Sequence, residues 1–467
     1  MPGQGRLLTD KGEDVQNEGE AVRISWFTVT FGALIVFLVS LAGLWLTGCQ
    51  GIGTPAASPS PTPTGLASTP SPNASALPAP SPTIPGVITL TVWTAPDYSP
   101  QAEGPAGEEM RRIIARFNET QEDVQIEYAL KKPQGKGGLL DFLLTASSVA
   151  PTVLPDAIFL EPHNLRDAAG AGLVQPLDDL LPPPLQEDLF PFVLEAGRFD
   201  GQLKGIQFQT DALHLLYNTN KVESPPLTWT DVLTRPEAHY LFPTGGSGGL
   251  ANDSFLAHYL GTGAPLFDEL GQLTLDEEAM TAVLSYYAAG IQSGVVPTIA
   301  LELESTLDTW PIYLEAEVAM TEVAASHYLA NRDLLHNTAY APIPGQSGPA
   351  PTVSQGWMVA IVTIDPYRVE GAARFLEWWL SPENNADWNL AAGTLPVRRS
   401  AYQRLGEQDP YFTFLANLLK TAHPYPLAPD YREVAVAWQI AVEAVLTGQQ
   451  TPEEATAQVM AATMGQR

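Results

Sequence analysis

Cys49 is the only thiol of the chain, and it closes the sequence Leu46-Thr47-Gly48-Cys49 at the end of a long apolar run. A lone cysteine builds neither an intramolecular disulfide nor a Cys-based metal site, so its available chemistry is a single covalent modification. The other reactive side chains are carboxylates and aromatic rings: 52 Asp and Glu, 10 Trp and 15 Tyr. Carboxylates accept hydrogen bonds and rings offer flat apolar faces. No His-Glu-x-x-His metalloprotease signature occurs. The run Thr244-Gly245-Gly246-Ser247-Gly248-Gly249 lacks the Gly-Lys-Ser/Thr ending of a phosphate cradle and reads as a flexible loop. Tyr286-Tyr287 and Trp378-Trp379 lie in Ala- and Leu-rich helical stretches, where one ring of each pair faces inward.

The elements that position these groups divide the chain into segments. Residues 1–23 form a polar n-region that ends at Arg23, and 24–49 hold the apolar stretch Ile24–Leu46 and the cysteine. This arrangement suits an export signal or a membrane span. Leu46–Cys49 resembles the bacterial lipobox, which implies lipidation at Cys49. Residues 50–86 are almost wholly Pro, Ser, Thr, Ala and Gly without a charge. Such a stretch cannot bury enough surface to fold, and it reads as a disordered, semi-stiff stalk on the outer face of the membrane.

From residue 87 the composition becomes globular. About 380 residues are enough for two lobes with separate cores. The net charge of −29 disfavours nucleic acid and a polybasic membrane contact. Val87–Trp93 and Val124–Tyr128 alternate as strands, Asp156–Leu160 reads as a short buried strand, and Glu108–Asn118 and Leu139–Ala146 carry helical spacing. Strand, helix, strand, helix, strand predicts an α/β domain with a mainly parallel sheet and a ligand crevice beyond the strand ends. Near the C-terminus, Thr451-Pro452-Glu453-Glu454 marks a helix start.

A series of short segments then resembles one family in order. Val92-Trp93 ends the opening strand, Pro155-Asp156-Ala157-Ile158 begins another, and Asp200-Gly201-Gln202-Leu203-Lys204-Gly205-Ile206 looks like a hairpin. Tyr217-Asn218, Leu227-Thr228-Trp229, Glu317-Val318-Ala319-Met320, Gly356-Trp357 and Gly393-Thr394-Leu395-Pro396-Val397-Arg398 follow. Together they resemble the extracellular solute-binding proteins of ABC importers, in the sugar-binding branch typified by maltose-binding protein. Gln207 and Glu317 depart from the usual proline and glycine.

The resemblance implies a type II periplasmic-binding-protein fold: two α/β lobes joined by a multi-strand hinge, with the ligand cleft between them. Lobe one is expected at 87–211 and 359–405, and lobe two at 212–358 and 406–467. Hinge crossovers are expected at Thr210–Tyr217 and Trp357–Thr363. The implied ligand contacts are Trp93, Thr94, Tyr98, Glu161, His163, Asp211, Asn252, Asp253, Glu322 and Trp357. The implied ligand is a sugar or oligosaccharide, whose hydroxyls need carboxylates and amides and whose C–H faces need aromatic rings. The implied partners are ABC permease subunits and the membrane through its N-terminal anchor. A monomer without cofactor, catalytic residue or metal is expected. A polyamine-type cationic solute is the alternative, and a secreted carbohydrate-active enzyme the rival from another class.

Overall fold

Alternating β-branched and apolar residues form the strands expected of them, and two main sheets result, beside the two-stranded pairs Arg198–Phe199 with Gln202–Leu203 and Val353–Ser354 with His423–Pro424. The strands are β1 (Ile88–Thr94), β2 (Val124–Leu130), β3 (Ala157–Leu160), β4 (Ile206–Gln207), β5 (Leu213–Asn218), β6 (Tyr240–Leu241), β7 (Met320–Ala324), β8 (Thr338–Ala341) and β9 (Met358–Ile361). The first sheet has the order β2-β1-β3-β9-β4 and the second β8-β5-β7-β6. This computed structural model describes residues 86–268 and 271–464, within one compact unit spanning Ala79–Arg467. Cys49, the apolar run before it and the stalk up to residue 85 lie outside the described residues.

β1 runs parallel to β2 and β3, as the strand-helix-strand rhythm predicts. β9 is antiparallel to both β3 and β4. It enters the first sheet from the second lobe and not through a helical crossover, so the constraint that keeps such units parallel does not act on it. Asp156 ties this layer together. Its buried carboxylate accepts from the Thr91 amide at 2.8 Å and from Arg368 Nε at 2.6 Å, so β1, β3 and the helix Pro366–Trp379 share one anion.

Both faces of the first sheet are covered. Phe117, Phe159, Phe208, Trp379 and Trp388 fill one side, and Trp93, Leu139, Leu160 and Leu165 the other. The second sheet packs its own core around Tyr240, Tyr259, Tyr287 and Trp438. The helices Arg399–Gln408 and Pro410–Leu419 place Leu405, Phe412 and Leu415 in the first core, while Tyr431–Leu446 joins the second. The last passage between lobes therefore lies within residues 420–430, later than the expected break at 405/406. Burial decides this boundary: the apolar stripe of Tyr402 and Leu405 continues directly into Phe412 and Leu415.

The two cores meet at an aromatic junction. Tyr328 and Tyr340 from the second lobe lie against Tyr411 and Phe414 of the first, with Tyr328 to Tyr411 at 4.5 Å and Tyr340 to Phe414 at 4.8 Å. His214 on β5 is fully buried among them, and its Nε2 lies 2.7 Å from the Tyr411 hydroxyl. An Arg332–Asp409 ion pair sits at the same junction.

Burial pushes His214 down to about 4 from the ordinary 6.5. The unfolded chain then binds the extra proton first, so stability is constant above about pH 6.5 and falls as the pH drops from 6.5 towards 4. The loss through this window should reach about 3 kcal/mol. Denaturant titrations of the parent and of His214→Gln at pH 7 and pH 4.5 check this, with the variant losing less on acidification.

Candidate functional site

Among the described residues, three chain passages cross between the lobes, and their backbones are stitched to one another. The Phe208 amide donates to the Trp357 carbonyl at 3.0 Å, and the Asp211 amide to the Gln355 carbonyl at 3.1 Å. The third passage joins when the Tyr425 amide donates to the Ser354 carbonyl at 3.0 Å. Buried side chains complete the seam: Gln207 Nε2 reaches Ser354 Oγ at 3.0 Å, and the Thr210 and Ser354 hydroxyls meet at 2.7 Å. Asn385 and Asn389 both donate to the Phe208 carbonyl. The crossings are Phe208–Ala212 and Thr352–Trp357, each just ahead of where the sequence placed it, because β5 and β9 already belong to the sheets.

A cavity of about 650 Å³ opens over this seam. Glu161, His163 and Arg166 line it from the first lobe, Leu250, Tyr431 and Ala435 from the second, and Gln209, Asp211, Gln355 and Trp357 from the crossings. The Pro-rich passage Tyr425-Pro426-Leu427-Ala428-Pro429 forms one wall, and Arg166 reaches across to donate to the Leu427 carbonyl. Size and lining match a site for a small organic ligand.

The expected contact residues separate into two groups. Trp357 is half-buried in the cavity, with Tyr98 behind it at 4.4 Å between ring centroids. Burial raises Tyr98 to about 12, and its hydroxyl accepts from Gln209 Nε2 at 3.0 Å. Glu161 and His163 face the cavity, and Glu161 also accepts from Gln134 Nε2 at 2.7 Å. Asp211 lines the cavity, yet its carboxylate already accepts from the Ala212 amide, the Ser326 amide and the Ser326 hydroxyl. Burial raises its pKa in spite of those bonds. Asp253 accepts from Gln355 Nε2 at 2.7 Å and is pushed up to about 6 by burial, with a smaller contribution from the Asp211 charge.

Four expectations are corrected. Trp93 is a core residue with Lys131 Nζ 4.9 Å above its ring, and Thr94 is fully buried with its hydroxyl on the Tyr98 carbonyl. Asn252 caps the helix Asp253–Leu260 by accepting from the Phe255 amide, and donates to the carbonyls of Pro243 and Gly245. Its hydrogen-bonding capacity is spent on the second lobe. Glu322 points into the interior of that lobe, where Oε1 accepts from the Tyr240 hydroxyl at 2.6 Å and lies 3.3 Å from His258 Nε2. The neighbouring Tyr286 and Tyr287 are both buried, so the one-ring-inward reading fails for that pair; Trp378 and Trp379 divide as half-buried and buried.

Gln209 was not anticipated. It is 6% exposed, lines the cavity, and its Oε1 has no partner among the described residues. The pattern Gln207-Phe208-Gln209 carried the signal: two amides flanking an apolar residue in an otherwise hydrophobic passage. Tyr425 was also missed, although prolines on both sides bar it from a helix. The glycine-rich loop spells Gly245-Gly246-Ser247-Gly248-Gly249, the letters of a nucleophile elbow. Ser247 instead starts a three-residue 3₁₀ turn, not a strand-to-helix corner.

Residues 112–413 match the family described as bacterial extracellular solute-binding protein. The chain belongs to this family. Among solved structures of solute-binding proteins, that of the cyclic alpha-maltosyl-1,6-maltose binding protein from Arthrobacter globiformis covers 81% of this chain and 98% of its own, at 20% identity and a TM-score of 0.67. The maltose-binding periplasmic protein of Listeria monocytogenes covers 80% and 96%, at 15% identity and 0.64. These likenesses establish the two-lobed type II binding-protein fold. The sn-glycerol-3-phosphate-binding periplasmic protein of Escherichia coli K12 is 30% identical over 95 residues, 18% of this chain and 22% of that relative's length.

In this solute-binding protein the seam demands glycine at one point. A Cβ on Gly356 would stand 1.9 Å from the Gln209 carbonyl oxygen, so no side chain fits between the crossings. Gly356→Ala should cost about 2–3 kcal/mol by overpacking, read by denaturant titration. Because the displaced backbone is that of Gln209, ligand affinity should fall as well.

Proposed function

We propose that this protein captures a sugar or oligosaccharide in its interlobe cleft and delivers it to the permease subunits of an ABC importer. It acts as a monomer on the outer face of the membrane, held by lipid at Cys49 or by the apolar segment Ile24–Leu46. The reading rests on one juxtaposition: the Trp357 ring, backed by Tyr98, lies in the same cavity as Gln209, whose oxygen is buried and unmatched. A flat apolar face beside an open acceptor suits a ring with C–H faces and hydroxyl edges. The Arthrobacter relative is a cyclic alpha-maltosyl-1,6-maltose binding protein and the Listeria relative a maltose-binding protein, which supports the same class of solute.

Each group then has a role. Trp357 stacks beneath the sugar ring, Gln209 Oε1 accepts from a hydroxyl, and Glu161 accepts from another at the first-lobe wall. His163 and Arg166 donate at the cavity rim. Asp211 keeps the crossing in register through Ser326. Closure over the solute needs contacts from both lobes, since only a ligand that binds the closed form better can shift the balance towards it.

Thermal unfolding of the full chain in detergent, with maltotriose as the first probe, tests this. At a hundred times its dissociation constant, a bound saccharide should stabilise by about 2.7 kcal/mol. Trp357→Ala should weaken that binding at least tenfold, about 1.4 kcal/mol, when its liganded midpoint is compared with its own unliganded one. Saccharide recovered unchanged fits capture; consumption would convert the reading to an enzyme. No stabilisation by any saccharide in a broad panel would end it.

A further inference from the structure

A second recess, of about 270 Å³, adjoins the main cavity and shares Leu250 with it. Asp253 stands at the partition. It lines the recess, while one of its oxygens accepts from Gln355, a residue of the main cavity. Its charge also acts on Tyr425 and Tyr431, which line that cavity. Glu304 lines the same recess, and no bond to its carboxylate is formed among the described residues. Ser254, at 1% exposure, also lines it, and its buried hydroxyl has no partner among the described residues.

The lining contains no Lys, Arg or His. No basic side chain is there to recruit an anion, and part of the backbone that opens on the recess is already taken. Asn252 Oδ1 takes the Phe255 amide at 3.1 Å, and Asp308 takes the amides of Glu304 and Ser305 at 3.1 and 2.8 Å. Among the side chains, what faces the recess is carboxylate charge and the Ser254 hydroxyl. An ammonium group, with three donors and no acceptor, is the complement of that set. Asp253 is held up to about 6 chiefly by burial; a cation beside it would restore its ionised form.

We propose that this recess is a subsite for a protonated amino group carried by the captured solute, so that amino-bearing saccharides are favoured over neutral ones. The proposal rests on the saccharide reading above. It assigns a charge to the solute, which that reading leaves open.

Calorimetric titration of the full chain in detergent at pH 7 with three probes separates the two readings: maltotriose, the glucosamine trimer and spermidine. The glucosamine trimer should bind at least tenfold tighter than maltotriose. In Asp253→Asn the ratio should fall below threefold with the unliganded melting point unchanged, and Glu304→Gln should reduce it in the same direction. If Asp253→Asn does not fold, Glu304→Gln alone carries the comparison. Equal or tighter binding of maltotriose overturns the amino subsite and leaves saccharide capture standing, as does a preference that persists in both variants. Binding of spermidine alone, lost in Asp253→Asn, upholds the amino subsite and removes the saccharide. Binding of none of the three overturns both.

Discussion

A seam of buried hydrogen bonds joins the crossings between the two lobes, and the placement of the cleft groups depends on it. Along the seam, Gln207, Thr210, Thr352 and Ser354 are buried with polar partners, flanked by the apolar core of each lobe. Such bonds have directional demands that an oily contact lacks, so they fix which backbone lies beside which. They also place Gln209 and Trp357 side by side at the floor of the cavity. A hinge of this kind permits rotation about a few residues while holding register.

Much of this was legible in the sequence because it depends on local pattern. Ile88–Thr94, Val124–Leu130 and the helices Pro105–Thr120 and Leu139–Val149 emerge within a few residues of their expected limits, since each buries one periodic face. The cleft was only partly legible. Glu161 directly follows a strand end, where such sites form, and Asp211 and Trp357 lie on the crossings between lobes. Glu322 also sits in a strand, but both faces of its sheet are covered, so nothing local distinguishes an inward acid from an exposed one. Its partner Tyr240 is 82 residues distant. Asn252 misled for a related reason: a cap and a ligand contact use the same polar atoms, and only three-dimensional bookkeeping shows them spent.

The charge of the molecule reads differently once the cleft is located. Carboxylates dominate the chain, yet the main cavity also carries Arg166 and Arg432. Negative charge with no base among its lining residues is confined to the smaller recess behind Asp253. A single net value conceals this difference, since fields within a low-dielectric cleft are set by the nearest groups.

Glu322 has a consequence for how the second lobe can change over generations. Its carboxylate meets the Tyr240 hydroxyl and faces His258, whose Nδ1 lies 2.9 Å from the Tyr287 hydroxyl, all without solvent. Replacing any one member strands the others as unpaired polar groups in a dry interior, so single substitutions there are costly while matched ones need not be. The four positions are therefore expected to drift together in descendants or not at all, leaving a correlated signature in a part of the protein that never touches the solute.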